Sequence, residues 1–171
     1  PDLAASVDNI QIQRGIGTSA NGAGAFGASI NIKTKNPENE PFAEINTSAG
    51  SFNTYRNMVS AGTGLMKSKF ALQMRYSSIS SEGYIKRTSS GNRSAMISGI
   101  YKAGNSMLRA NVILGEEKTG ISWWGVPREI LASDRRYNPA GEYTDMNGNK
   151  RYYENETDNY RQNHYQLIYS L

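Results

Sequence analysis

Apolar and polar residues alternate with a period of two along much of the chain, the pattern of strands with two unlike faces. In the run 70–77, Phe70, Leu72, Met74 and Tyr76 share one parity, and Ala71, Gln73, Arg75 and Ser77 the other. Leu108, Ala110, Val112 and Leu114 oppose Arg109, Asn111 and Ile113. Tyr165, Leu167, Tyr169 and Leu171 oppose Gln166, Ile168 and Ser170, while Ala43, Ile45, Thr47 and Ala49 oppose Glu44, Asn46 and Ser48. Every charged residue in these four runs falls on the polar parity. Two further stretches, 56–64 and 93–101, read as extended, but the pattern does not assign their faces.

The connections carry a second pattern. Leu65 to Lys69 and Ala103 to Ser106 read as tight turns, and a short link near Ser51 to Thr54 closes the first hairpin. Longer polar links run from Ser80 to Ser90 and from Glu116 to Asn163. Tight turns at one end and long loops at the other are a feature of outer-membrane barrels, as are tyrosines near strand ends such as Tyr76, Tyr101, Tyr165 and Tyr169. Within the longest link, Tyr143-Thr144-Asp145 and Lys150-Arg151-Tyr152-Tyr153 flank Asn147-Gly148, which predicts a small hairpin.

Composition narrows the reading. The 171 residues are 37% hydrophobic, and no run approaches the roughly 18 apolar residues of a membrane-spanning helix. A polar average is compatible with a transmembrane barrel, because alternate residues face a polar lumen. The chain begins at Pro1 and ends at Leu171 within an alternating run, so a segment of a longer protein is expected. It holds no cysteine, which removes disulfides and thiolate metal sites. The net charge of +4 is dispersed, with pairs such as Lys86-Arg87 and Arg135-Arg136 but no basic block; nucleic-acid binding, which uses a basic stripe, is not expected.

Candidate chemistry is thin. Gly22-Ala23-Gly24-Ala25-Phe26-Gly27 matches the dinucleotide fingerprint G-x-G-x-x-G formally. That motif must open a helix, and here a strand-like run follows. Asp145 to Asn149 lacks the glycine position and closing glutamate of a calcium loop. Glu154, Glu156 and Asp158 read as a solvated acidic face, with a divalent-ion site in the loop as the alternative, and His164 has no partner placed for catalysis. No catalytic residue, metal site or cofactor is predicted, and the chain is not expected to be an enzyme.

The strongest local signal is Val7-Asp8-Asn9-Ile10-Gln11-Ile12-Gln13-Arg14-Gly15, a Gly/Ala/Ser stretch, then Gly27-Ala28-Ser29-Ile30-Asn31-Ile32-Lys33-Thr34-Lys35. It resembles the end of the plug domain in TonB-dependent outer-membrane receptors. There a strand closes on Arg-Gly, a glycine-rich loop follows, and a Gly-x-x-Ile-Asn-Ile-x-Thr-Lys strand leads into the barrel. Ile16 stands where the family commonly has proline, and Asn21-Gly22 where Tyr-Gly is common; neither alters the spacing. The segment from Trp123-Trp124-Gly125-Val126-Pro127 to Asn159-Tyr160 is similar to receptors of the Bacteroidetes lineage.

The resemblance implies an all-β fold: part of a transmembrane antiparallel barrel of about 22 strands, preceded by the C-terminal part of a plug. Residues 1–38 would belong to the plug. Residues 39–171 would supply the first six or so barrel strands, with a long extracellular loop near 116–163. It further implies TonB-dependent uptake of a scarce ligand, a ferric siderophore or another iron complex above all, across the outer membrane of a Gram-negative cell. The partners implied are the TonB-ExbB-ExbD energy complex, outer-membrane lipid and lipopolysaccharide, and the ligand. Arg14 and Gly15 would belong to a charged lock between plug and barrel wall, with acidic partners expected beyond Leu171. In the long loop, Trp123, Trp124, Arg128, Arg135, Arg136 and Tyr137 combine aromatic faces with positive charge, suited to anionic or aromatic ligands. The alternative for this cluster is packing of the loop or contact with lipopolysaccharide. A non-transporting outer-membrane barrel or adhesin, and a soluble β-rich binding domain, remain the alternatives for the whole.

Overall fold

The computed structural model describes residues 6–15, 24 and 27–171. The stretch carrying Ile16, Asn21-Gly22 and most of the formal dinucleotide fingerprint lies outside them. Two strands, β1 (Val7–Arg14) and β2 (Ala28–Thr34), form an antiparallel hairpin. Ile10 faces Ile32 and Ile12 faces Ile30 across it. Gly15, at φ +76°, donates its amide to the Gly27 carbonyl and closes the pair.

Six strands then build one antiparallel sheet: β3 (Pro41–Gly50), β4 (Thr54–Thr63), β5 (Phe70–Ser81), β6 (Ser90–Ala103), β7 (Ser106–Gly120) and β10 (Thr157–Ser170). Each pairs with the one before it, giving an open meander with β3 and β10 at the edges. The β5–β6 and β7–β10 connections are 82–89 and 121–156. The first is within two residues of the expected link at each end, and the strands run five to seven residues further into the second than the alternation shows. Within the second link lie a helical turn, α1 (Arg128–Ser133), and the predicted hairpin, β8 (Glu142–Thr144) with β9 (Lys150–Tyr152). Gly148 supplies the positive φ at its tip. Tight turns close the opposite end: Lys67 and Ser68 both take positive φ between β4 and β5, and Gly104 does so between β6 and β7. Among the described residues no helix is long and apolar enough to cross a membrane.

The sheet is inside out by the standards of a water-soluble domain. Register places Met74, Ile97, Val112 and Tyr165 side by side in one outward row. Ile97 is 44% exposed and Leu167, one row away, 73%. On the other face Ala71, Ser77, Ser98 and Asn111 are almost fully buried, and so are Arg75 and Arg109. Ser98 Oγ lies 2.7 Å from Asn111 Oδ1, and the Asn111 amide donates on to Gln166 at 3.1 Å, tying β6, β7 and β10 together. The base of the β1–β2 hairpin and its link to β3 lie against this polar face. Arg75 donates to Ser6 at 3.5 Å, Arg109 donates to Asn36, and Pro37 is buried.

The two stretches whose faces the alternation left open are resolved by pairing. Val59 and Ala61 of β4, and Ala95, Ile97 and Tyr101 of β6, share the outward face. Met58, Met96 and Ile100 turn inward and are buried, which is why polarity alone does not separate the parities there. On β5 the outward apolar run from Phe70 to Tyr76 spans about 20 Å along the strand. Taken with side-chain reach, this is of the order of the roughly 25 Å apolar band of a transmembrane barrel.

Candidate functional site

Three connections meet at the end of the sheet opposite the tight turns: 51–53, 82–89 and 121–156. They interlock chiefly through backbone groups. Gly120, the last residue of β7, donates to Ser89 O at 2.9 Å. Arg87, held at φ +61°, donates its guanidinium to the carbonyls of Asn138 and Ala140 and lies 3.6 Å from the Tyr152 ring centre. Buried Asn138 returns its side-chain amide to the carbonyls of Lys86 and Ile121, both at 2.9 Å. An ion pair joins Lys86 to Asp134 at 2.7 Å. Phe52 from the first link packs edge-on to Tyr84 at 5.4 Å. The long connection is therefore an ordered cap over this end of the sheet.

The cap separates the residues that sequence places together. Trp123 and Trp124 are largely exposed. Trp123 lines a cleft of about 440 Å³ with Ile121, Asp158 and Tyr160, on the β7–β10 side. Arg128 and Arg135 line a different, shallower hollow with Tyr84 and Leu131. Arg136 is engaged in structure: its Nε donates to Tyr84 O at 2.7 Å, and it sits about 6 Å from the rings of Phe52 and Tyr84. Tyr137 donates to Glu142 at 2.5 Å. Arg128 and Arg135, without an ion-pair partner among the described residues, thus share one hollow, Trp123 presents its ring in another, and Trp124 is exposed but lines neither. Sequence assigned no role to Arg87, Asn138, Lys86 or Phe52: Arg87 and Asn138 act on carbonyls distant along the chain, Lys86 on the Asp134 carboxylate and Phe52 on the Tyr84 ring. Glu154, Glu156 and Asp158 form no ligand cluster, and among the described residues no three acidic, histidine or cysteine side chains converge. Arg14 is exposed at the end of β1, without an ion-pair partner among the described residues.

The β8–β9 hairpin is organised around carboxylates. Glu142 accepts from Lys150 at 2.8 Å, from Tyr137 and from Tyr152, and these bonds, that of Lys150 foremost, hold its pKa below the ordinary value. Asp145 is lowered first by the Asn149 amide and then by Arg151. Asp134 is lowered first by Lys86. Lys150 and Tyr137 are raised, each chiefly by Glu142. The lowered carboxylates stabilise the cap above their ordinary range and lose that contribution as pH falls through it. The raised groups contribute fully below pH 10 and lose it as pH rises past their folded values. A nitroxide on Met146→Cys, at the exposed hairpin tip, is expected to keep one mobility between about pH 5 and 9 and to loosen below about pH 4. With Glu142→Gln it should be mobile throughout. Spectra unchanged down to pH 3 would show that these carboxylates do not order the hairpin.

With this geometry in view, the chain has a local relative of known role. Over 65 residues it is 37% identical to the metal-pseudopaline receptor CntO of Pseudomonas aeruginosa, in two strains. The match takes in 38% of this chain and 9% of that receptor. No family model matches the chain, and no solved structure does. The likeness is consistent with a fragment of a TonB-dependent receptor. Both relatives come from Pseudomonas, so the finer likeness to the Bacteroidetes lineage draws no support from them.

Proposed function

We propose that this chain is part of an outer-membrane receptor that takes up a metal complex, a ferric siderophore or another iron complex foremost, with energy from the TonB-ExbB-ExbD system and no enzymatic step. The observation that carries this reading is the inverted sheet. Its apolar face is open, and its opposite face buries Arg75, Ser77, Ser98, Arg109 and Asn111 in the central strands. There Arg75 and Arg109 meet the β1–β2 hairpin's base and its link to β3. A soluble sandwich with the same alternation would bury Ile97 and Leu167 against a second sheet. A barrel wall turns them to lipid and its polar residues to the lumen. The local likeness to a metal-complex receptor supports the same cargo class. Arg14 and Gly15 take the place of the plug-to-wall lock, and exposed Arg14 is free to meet acidic partners. Arg128 and Arg135, with Trp123 and Trp124, are the ligand-facing groups of the cap, while Arg136 and Tyr137 hold the cap together.

The test uses the complete gene in a host lacking its own siderophore receptors. Heat-modifiable migration of the outer-membrane protein and uptake of a labelled ferric siderophore, lost when TonB is deleted, are expected. Arg14→Ala should leave the barrel folded and slow uptake, and the Arg128→Ala, Arg135→Ala pair should weaken binding of an anionic complex. A protein that stays monodisperse in plain buffer would overturn the membrane assignment. Uptake indifferent to TonB would overturn the mechanism.

A further inference from the structure

The outward face changes character abruptly at one level. Above the row Ile45, Val59, Tyr76, Ala95 and Leu114, the next outward positions are Thr47, Asn57 and Ser78 on β3 to β5, all neutral. On β6, β7 and β10 the same level carries Arg93, Glu116 and Arg161, side by side in register. Lys118 follows two residues beyond Glu116 on the same face, flanked by Gly91 and Asn159. Three cations and one anion are thus gathered on three adjacent strands, at the boundary between the apolar band and the long-loop end.

These cations are not committed elsewhere. Arg93 meets Glu116 at 3.4 Å with both side chains more than half exposed, a pair of little intrinsic strength. Neither Lys118 nor Arg161 has an ion-pair partner among the described residues. Two hollows lie between them. The lower, about 320 Å³, has Tyr76, Ala95 and Leu114 as its apolar floor beneath Arg93 and Arg161. The upper, about 480 Å³, is bordered by Gly91, Arg93, Lys118 and Arg161, with the acidic residues Glu116 and Glu117 also in its lining. A Cβ on Gly91 would meet nothing within 4 Å, so the bare glycine leaves room beside the two arginine arms. Strand spacing puts the Arg93 and Arg161 backbones about 10 Å apart, a gap that two guanidinium arms can close around one phosphate.

We propose that Arg93, Lys118 and Arg161 form a docking site on the outer wall for the phosphate-bearing headgroup of a lipid in the surrounding leaflet. This rests on the membrane reading above. The floor of the lower hollow is continuous with the apolar band, so a ligand seated there presents an anionic head to the cations and a hydrocarbon tail to the band. A free anion would use only the upper half.

The test is native mass spectrometry of the complete protein in neutral detergent, with bisphosphorylated lipid A and its dephosphorylated form as probes. Wild type should retain the phosphorylated probe, and the R93Q/K118Q/R161Q variant should retain on the order of a hundredfold less, since each of the three basic groups near an anionic headgroup contributes roughly a fivefold factor. E116Q, which removes the anion from the row, should retain more. Heat-modifiable migration identical to wild type confirms that each variant is folded. Equal retention of the two probes, or of the phosphorylated probe by wild type and the triple variant, overturns the proposal. Displacement by an equal concentration of inorganic phosphate would overturn the lipid in favour of a free anion. A nitroxide on Ile97→Cys separates this failure from that of the membrane reading. If the label is reached by oxygen and shielded from a water-soluble nickel chelate while phosphate dependence is absent, only the docking site falls. If the chelate reaches it freely, the membrane reading falls too.

Discussion

Ile97→Arg in the complete protein is expected to cost about 2–4 kcal/mol of stability in a bilayer, the penalty for a cation on the lipid face of a barrel near the midplane. Ile97 lies in the middle of the outward apolar band, between Met74 on β5 and Val112 on β7. Against total stabilities of 5–15 kcal/mol typical of folded proteins, such a loss raises the unfolded-to-folded ratio by roughly thirty- to a thousandfold. The same substitution on a water-washed surface would stay within about 0.5 kcal/mol. Ser78→Arg is the control: it shares the outward parity but lies at the level of Arg93, its partner across the ladder, where the penalty falls to about 0–1 kcal/mol. Denaturant unfolding from phospholipid vesicles measures both. Equal values for the two variants would remove lipid from the outward face.

Gly120→Ala should detach the cap while leaving the wall intact. A Cβ at this position would lie 2.2 Å from the Arg87 carbonyl oxygen and 2.9 Å from the Thr88 Cα. Both are backbone atoms, so no side-chain rotation relieves the overlap. The segment 82–89 must move, and with it Arg87, whose guanidinium holds the Asn138 and Ala140 carbonyls. Overpacking of this kind costs about 1–3 kcal/mol. Because the strain falls on the cap, amide exchange across 121–156 should accelerate roughly ten- to a hundredfold, with β5 and β6 unchanged. Gly125→Ala, where a Cβ meets nothing within 4 Å, should have no such effect. Unaltered exchange in Gly120→Ala would mean that the three connections do not form one unit.

These two positions also mark what sequence does and does not reveal. Parity is legible in the runs 43–49, 70–77 and 108–114 because Glu44, Arg75 and Arg109 sit on the polar side only, and in 165–171 because Tyr165, Leu167, Tyr169 and Leu171 share one parity. Beyond these runs β7 and β10 carry charge on both faces. In β4 and β6 the buried face itself carries Met58, Met96 and Ile100, so an apolar residue there no longer marks the outward side. Only the ladder decides. The β8–β9 hairpin is legible from Asn147-Gly148, since a positive-φ turn is a local requirement. The cap is not, because its contacts run from side chains to carbonyls some fifty residues away, and carbonyls carry no sequence signature. For the same reason residues grouped by proximity in sequence come apart, Trp123 into one hollow, Arg128 and Arg135 into another and Trp124 into neither, while Arg87 and Asn138 pass unnoticed as a dispersed basic residue and a loop asparagine. α1 is too short to produce a helical period.

The meander has a kinetic consequence. From β3 to β7 every strand meets its neighbour through a link of at most eight residues, so hairpins can add one after another with little search. β10 must find β7 across the whole of 121–156. Closing a loop of that length rather than a two-residue turn costs on the order of 2–3 kcal/mol in chain entropy. Folding of β8–β9 and its capture by Arg87 draw the ends of that loop together beforehand. The cap then serves as the jig on which the last strand is registered, and a chain with a damaged cap should add β10 to the sheet slowly.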